Sequence, residues 1–304
     1  MYDMIVIGAG AAGMTSALYA LRNNKTVLVL ESESLGGQIA TSPRLENYPS
    51  IKEISGEKFA DNLFEQITSL GADVEIEKVV RVEKENGIFN VKTEYNEYQS
   101  KTVVIAAGVK HKHLRTKSNR EDLVGRGVYY CAICDGPIYK DKEVVIIGDA
   151  NTALQYSLLL ASYCKKVYVY TLFDKFFGDK ALIKALLSKE NIEWRPKTSV
   201  TDFIGDKELT AIEYTDADGQ TKIHEITGVF VAIGQVPDNK AFENLVDLDS
   251  MGYIIADETC KTKTEGLFVA GDCRTKAVRQ VATAVADGAI ASTNASIYIE
   301  SLDK

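Results

Sequence analysis

The chain is short of the residues that build metal sites and disulfide scaffolds. Its 304 residues include five cysteines and three histidines, His111, His113 and His224. Cys164, Cys260 and Cys273 stand apart in sequence, so a disulfide-rich secreted framework is excluded. Cys131 and Cys134 form a lone Cys-x-x-Cys. That spacing belongs either to half of a metal site or to a redox pair. Four-cysteine zinc needs a second such element, and a mixed site is poorly supplied with histidine, so no metal is expected. Also missing is an apolar run of the roughly 18 residues that span a bilayer. The first apolar segment, 4–20, is cut by Gly8, Gly10 and Gly13 and has no basic start of the kind a signal peptide carries. A cytoplasmic protein with no membrane span is the expectation. Nor is there positive charge in excess. The net charge of −8 argues against nonspecific nucleic-acid binding.

What is present fits a globular protein long enough for two domains, with 45% hydrophobic and 26% charged residues. Near the start, "DMIVIGAGAAGMTSALYALRNNKTVLVLE" reads as a strand over 4–7, a helix over 11–21 and a strand over 26–30 that ends at Glu31. Gly8, Gly10 and Gly13 lie between the first strand and the helix in GxGxxG spacing. Glu31 follows Gly13 by 18 residues. In such a βαβ unit the first glycine permits the tight turn and the second admits a pyrophosphate to the backbone. The third lets helix and strand pack, and the acid can bind a ribose hydroxyl.

Residues 73–105 alternate as antiparallel strands, with a turn at Asn86–Gly87, and "KTVVIAAG" adds a buried strand ending at Gly108. A polar, basic stretch over 109–120 reads as a linker. A second βαβ pattern follows: a strand over 144–147, a helix to about Tyr163 and a strand over 166–170. Another alternating stretch covers 208–233. "FVAIGQVPDN" mirrors "VVIAAGVK", so one nucleotide-binding layout is inserted into another. At the far end Gly271–Asp272 closes a strand just ahead of a long helix. There the acid either binds a flavin's ribityl hydroxyls or caps the helix.

Together, "GAGAAG" at 8–13, "GGQIATSPRLENYP" at 36–49, "CAICDG" at 131–136 and "GDCRTKAVRQVATAVADG" at 271–288 resemble the low-molecular-weight thioredoxin reductases over essentially the whole chain. The resemblance implies an α/β fold of two Rossmann-like, three-layer ββα dinucleotide-binding domains, the second inserted into the first. Residues 1–112 and 242–304 would form the FAD domain, and 116–238 the redox domain. It implies a homodimer that reduces thioredoxin. It implies flavin contacts from Gly8, Gly10, Ala11, Ala12 and Gly13, and from Glu31 and Ser32. Further contacts are implied for Gly36, Gly37, Gln38, Asn47, Ala107 and Gly108, and at the far end for Gly271, Asp272, Arg279, Gln280 and Val281. Cys131 and Cys134 would form the redox disulfide, and Asp135 either donates a proton to a leaving thiolate or is a plain turn residue. Segments 110–118 and 235–246 would act as hinges.

The resemblance fails at the second nucleotide site. The family's GGGNSA becomes Gly148-Asp149-Ala150-Asn151-Thr152-Ala153. Of its HRRxxFR, Thr171 stands for the histidine, Leu172 and Phe173 for the paired arginines, and Phe177 for the last. Each charge-assisted hydrogen bond to a 2′-phosphate contributes about 1.5–3 kcal/mol, so NADPH binding should be lost. NADH could still bind through Asp174, but the altered loop argues against either nucleotide, and the aromatic replacements suggest a filled or covered surface. The pattern is similar to ferredoxin-dependent flavin thioredoxin reductases. Electrons would pass from reduced ferredoxin through FAD to Cys131–Cys134 and on to thioredoxin. The alternative is an NADPH- or NADH-dependent reductase with a divergent site, and a second flavin in the vacated site stays open. An acidic ferredoxin would dock on a basic patch: Lys110, Lys112, Arg115, Lys117 and Arg120 first, then Lys165, Lys166, Lys175 and Lys180.

Overall fold

The computed structural model describes residues 1–40, 42, 45, 47–130 and 132–302, and of His111, Ile133, Cys134 and Gln235 the backbone alone. It divides into two compact units, residues 1–110 with 236–304 and residues 111–235.

The first unit begins with β1 (Tyr2–Ile7), α1 (Ala11–Arg22), β2 (Val27–Glu31), α2 (Gly56–Ser69), β3 (Asp73–Ile76), β4 (Val79–Glu85), β5 (Ile88–Thr93) and β6 (Glu97–Ile105). Its parallel sheet runs β3-β2-β1-β6. The chain returns much later to add a parallel strand, Leu267–Val269, beside residues 103–105 of β6. The earlier half of that same β6 edge pairs antiparallel with β5, which forms a hairpin with β4. Asn86 and Gly87 both have positive φ at the hairpin turn, the two-residue geometry that matches strand twist. One expectation is corrected: Asp73–Ile76 pairs parallel with β2, not antiparallel. Alternation along β1 sorts its residues to two faces. Met4 and Val6 pack with Met14 and Ala17 of α1, while Ile5 and Ile7 pack with Val82, Phe89 and Val91 of the hairpin.

The second unit repeats the plan. Lys110–His111 (β7) pairs with a later strand, Gln235–Val236, and β8 (Val128–Tyr129) leads to the short helix α3 (Ala132–Asp135). Then come β9 (Glu143–Ile147), α4 (Asn151–Leu160), β10 (Lys166–Tyr170), α5 (Lys180–Leu187), β11 (Ile192–Arg195), β12 (Ser199–Gly205), β13 (Leu209–Thr215), β14 (Thr221–Glu225), β15 (Val229–Val231) and β16 (Gln235–Val236). The parallel order is β11-β10-β9-β15-β8, and β12–β14 form a separate antiparallel sheet. Val229–Val231 therefore belongs to the parallel sheet, not to the alternating antiparallel stretch expected over 208–233. Val144 and Ile146 face α4, while Val145 and Ile147 face Phe203, Ile212 and Tyr214 of the small sheet. The chain then re-enters the first unit through β17 (Leu267–Val269) and ends on α6 (Val281–Leu302). Among the described residues, no helix is long and apolar enough to cross a membrane.

Candidate functional site

Two glycine turns with nearly the same backbone hold different chemistry. At the first, Gly8 has φ +106° and donates its N–H to Leu30 O at 2.7 Å. A Cβ there would lie 2.3 Å from Ala106 O, so no other residue fits. A Cβ on Gly13 would lie 1.8 Å from Gly8 O, which is the close helix–strand contact the motif requires. Gly10 is the N-cap of α1, with φ −80° and ψ −175°. A Cβ there would meet Gly36 O alone, at 3.9 Å, so the space in front of the helix is open. No acid lies in the first turn of α1, leaving its N–H groups free for an anion.

Around this opening the first unit assembles the other expected contacts. Glu31 ends β2 and is buried. Its Oε2 accepts from Ala9 N at 2.7 Å, and its Oε1 accepts from Ser32 N at 2.7 Å and Glu33 N at 3.0 Å. Gly36 and Gly37, both at positive φ, lie on the turn, where Gly36 N donates to Ala9 O at 2.9 Å. Gln38 Nε2 reaches Val109 O at 3.4 Å, just past Ala107 and Gly108, and Asn47 Nδ2 donates to Gln280 Oε1 at 2.9 Å, next to Val281 at the start of α6. The guanidinium of Arg279 lies 4.1 Å from the ring centroid of Tyr253.

Asp272 carries the test of fit for a flavin. A Cβ on the preceding Gly271 would be 2.9 Å from Ala12 Cβ, so the Gly271–Asp272 turn lies beside the first turn of α1. Asp272 Oδ1 is buried and has no partner among the described residues. Burial pushes its pKa up, against the opposing pull of Lys276 and Arg279. A buried acceptor with no donor is costly. The hydroxyls of a ribityl chain are the kind of donor that would satisfy it, so the residues fit FAD.

Behind this turn is a cluster absent from the motif reading. Asp287 of α6 accepts from Gly271 N at 3.0 Å, from Arg274 Nε and Nη2 at 2.9 and 2.7 Å, and from Lys276 Nζ at 2.8 Å. Burial raises its pKa, but the hydrogen bonds from Arg274 and Lys276 outweigh this and hold the carboxyl below the usual carboxylate range. The signal was a single acid inside the otherwise small and apolar helix "VATAVADGAIAS". Cys273 packs wholly buried next to the turn, and burial pushes its thiol up to about 12.

The dithiol element is described in part. Cys131 lies outside the described residues, and Cys134 is placed by its backbone within α3. Asp135 ends that helix, half-buried, and burial raises its pKa. Gly136 is pinned from below, since a Cβ would be 2.2 Å from Tyr163 Oη. That buried hydroxyl has no partner among the described residues.

The second glycine turn repeats the first in backbone and differs in side chains. Gly148 has φ +149°, and its N–H donates to Tyr170 O at 3.1 Å. Ala150, with φ −112° and ψ −177°, is the N-cap of α4, so a methyl group stands where Gly10 leaves space. The segment after β10 folds against this turn. Phe177 N donates to Asp149 O at 2.7 Å and Asp179 N to Asn151 Oδ1 at 2.6 Å. A Cβ on Gly178 would be 3.4 Å from Asn151 N. Thr171 is buried, accepting from Trp194 Nε1 at 2.9 Å, and Asp174 pairs with Lys197 at 3.1 Å. The covered surface expected from the aromatic replacements is corrected in one respect. Leu172, Phe173 and Phe177 are 62%, 52% and 53% exposed, because the strap reaches the turn through its backbone and leaves their side chains outward.

Comparison with known proteins agrees with this architecture. The pyridine nucleotide-disulphide oxidoreductase family model matches residues 2–288. A thioredoxin reductase of Treponema pallidum is 37% identical over 303 residues, covering 99% of this chain and 98% of its own. The solved thioredoxin reductase of Lactococcus lactis superposes with a TM-score of 0.96 at 30% identity, covering 99% of this chain and all of the other. A solved ferredoxin-flavin thioredoxin reductase of Clostridium acetobutylicum matches with a TM-score of 0.55 at 26% identity, covering 99% and 98%.

Proposed function

The chain belongs to the pyridine nucleotide-disulphide oxidoreductase family, as a flavin-dependent disulfide reductase of the low-molecular-weight thioredoxin reductase group with FAD as cofactor, and from that premise we propose that reduced ferredoxin, not NADPH or NADH, supplies its electrons. The observation carrying this reading is the contrast between the two glycine turns. The first is open at Gly10. The second has the Ala150 methyl group, the strap at Phe177–Asp179 bonded across it, and apolar Leu172, Phe173 and Phe177 where phosphate-binding arginines would stand. The solved ferredoxin-flavin enzyme of Clostridium acetobutylicum, 26% identical, is an example of this fold described with such a donor.

Bound FAD supplies a carrier that takes electrons singly and hands on a pair. In this proposal Gly8, Gly10 and Gly13 admit its pyrophosphate, Glu31 takes a ribose hydroxyl and Asp272 the ribityl chain. Cys131 and Cys134 exchange with the disulfide of thioredoxin, the substrate. Asp135, raised by burial, holds the proton that the leaving thiolate takes up. Low-potential ferredoxins near −400 mV lie about 130 mV below thioredoxin, roughly 6 kcal/mol downhill for two electrons. The enzyme would act as a homodimer in the cytoplasm, where reducing conditions keep Cys164, Cys260 and Cys273 as free thiols.

The test is anaerobic mixing of the FAD-loaded protein with reduced ferredoxin, NADPH or NADH, following flavin absorbance and then thioredoxin thiols. Ferredoxin should bleach the flavin within seconds, and micromolar pyridine nucleotide should leave it yellow. Rapid, saturable bleaching by NADPH or NADH would return the chain to the pyridine-nucleotide alternative.

A further inference from the structure

We propose that the outward face formed by Leu172, Phe173 and Phe177 with Lys175, Lys180 and Lys184 is a docking surface for a small acidic electron-donor protein, an inference that rests on the ferredoxin reading above. The face is built by the strap that leaves β10 and enters α5. Asp179 caps α5 by accepting from Ala181 N at 2.8 Å, which sets Lys180 and Lys184 one turn apart on the helix. The same helix side carries a shallow hollow lined by Lys180, Ile183, Lys184, Leu187 and Ser188.

Three observations pick this face out. Its apolar centre is exposed although nothing in the fold needs it to be: Leu172, Phe173 and Phe177 are each more than half exposed, and Leu187 nearby is 57% exposed. The side chains of the centre also pack on one another. The Phe173 and Phe177 rings meet edge to face at 5.3 Å, and Lys175 Nζ lies 5.0 Å from the Phe177 centroid. The third observation is charge. Residues 172–189 carry four lysines and two aspartates within a chain of net charge −8. Both acids are engaged, Asp174 by Lys197 and Asp179 by the helix it caps. Lys175, Lys180, Lys184 and Lys189 make no ion pair among the described residues. Of the seven other candidate cations, five are internally neutralised, and Lys112 and Arg115 make no ion pair among the described residues. Lys110 pairs with Glu33 at 3.5 Å and Lys117 with Glu213. Arg120 pairs with Asp122 at 2.7 Å, Lys165 with Glu143 at 3.0 Å and Lys166 with Glu193 at 2.5 Å.

A small apolar centre with an unpaired cationic rim has the anatomy of a transient interface. Its sign, opposite to that of the molecule, selects an acidic partner and steers its approach, while the rest of the surface repels that partner. An acidic iron–sulfur protein that delivers one electron per encounter, and must leave before the next arrives, requires such a fast and weak contact.

The experiment compares the wild type with K175E/K180E/K184E and with F173S/F177S, all FAD-loaded, in anaerobic stopped flow against reduced ferredoxin. Dithiothreitol, an uncharged reductant, reports whether flavin and dithiol are intact. The altered side chains are exposed, so both variants should fold. Charge reversal should lower the second-order rate of flavin reduction by about tenfold or more at low ionic strength and remove its salt dependence. The serine pair should lower the rate by about tenfold at every salt concentration. Both should keep the wild-type rate with dithiothreitol and the wild-type KM for thioredoxin. If ferredoxin reduces the wild type and both variants within twofold of one another, the surface assignment is overturned and the donor reading survives. The assignment is equally overturned if the KM for thioredoxin moves in place of the ferredoxin rate. If ferredoxin does not reduce the wild type, the donor reading falls, and this inference with it.

Discussion

Replacing Asp287 with Asn removes one charge from the cluster behind the Gly271–Asp272 turn and little else. The native carboxylate gathers four hydrogen bonds, three of them from Arg274 and Lys276. Those two side chains are 9% and 7% exposed, so an amide at 287 strands two buried cations. Breaking a buried pair by removing one partner costs about 3–5 kcal/mol. At about 2–4 °C per kcal/mol for a unit of this size, the FAD-free protein should melt on the order of 10 °C lower at pH 7, followed by circular dichroism. The turn it anchors presents Asp272, so FAD affinity, read by quenching of flavin fluorescence, should weaken about tenfold. The pH dependence has a definite sign. Because the folded-state pKa of Asp287 is depressed, its stabilisation is present above the unfolded value near 4 and is lost as pH falls through the folded pKa. Wild-type melting should therefore fall more steeply below about pH 4 than that of D287N. Combining D287N with Arg274→Gln leaves one stranded cation instead of two and should recover part of the loss. A D287N protein that melts within about 2 °C of the wild type at pH 7 refutes the reasoning.

Other perturbations test separate parts of the site. Gly13→Ala places a Cβ 1.8 Å from Gly8 O, so FAD should no longer be retained on gel filtration; a yellow, stoichiometric G13A protein would contradict the close packing. Asp135→Asn should slow thioredoxin reduction by about 10²-fold and flatten the decline in wild-type rate as pH rises through the raised Asp135 pKa. An unchanged pH profile in D135N would show that its proton is not used. Tyr163→Phe removes a buried hydroxyl that has no partner among the described residues, so it should raise stability by about 1 kcal/mol in urea titration, where a comparable loss would reveal a hidden acceptor.

Much of this was legible in the chain itself, because local rules and tertiary packing agree there. The glycine spacing at 8–13 and the short apolar run at Met4–Ile7 each follow from contacts within one βαβ unit, and they fall where the sequence places them. Strand direction was not legible for Asp73–Ile76 or Val229–Val231. Parallel and antiparallel neighbours share the same alternation, and partner choice is decided by distant strands. The Arg274–Lys276–Asp287 cluster was likewise hidden, since nothing local ties a helix residue to a turn 16 residues earlier. Exposure of Leu172, Phe173 and Phe177 was missed for a related reason. Their identity signals burial, but the strap is held by its main chain, and that leaves the rings outside.

The return of the chain to place Leu267–Val269 against β6 has a consequence for biosynthesis. While the ribosome is still working on the inserted lobe, residues 103–105 of β6 have no neighbour on that side, and an unzipped edge of this kind invites pairing with other nascent chains. The half-built sheet also lacks Asp272 and α6, so cofactor cannot rescue it. Maturation must therefore wait for residues 267–302 to emerge, and a truncation that removes them while sparing the entire inserted lobe would yield a colourless, sticky product.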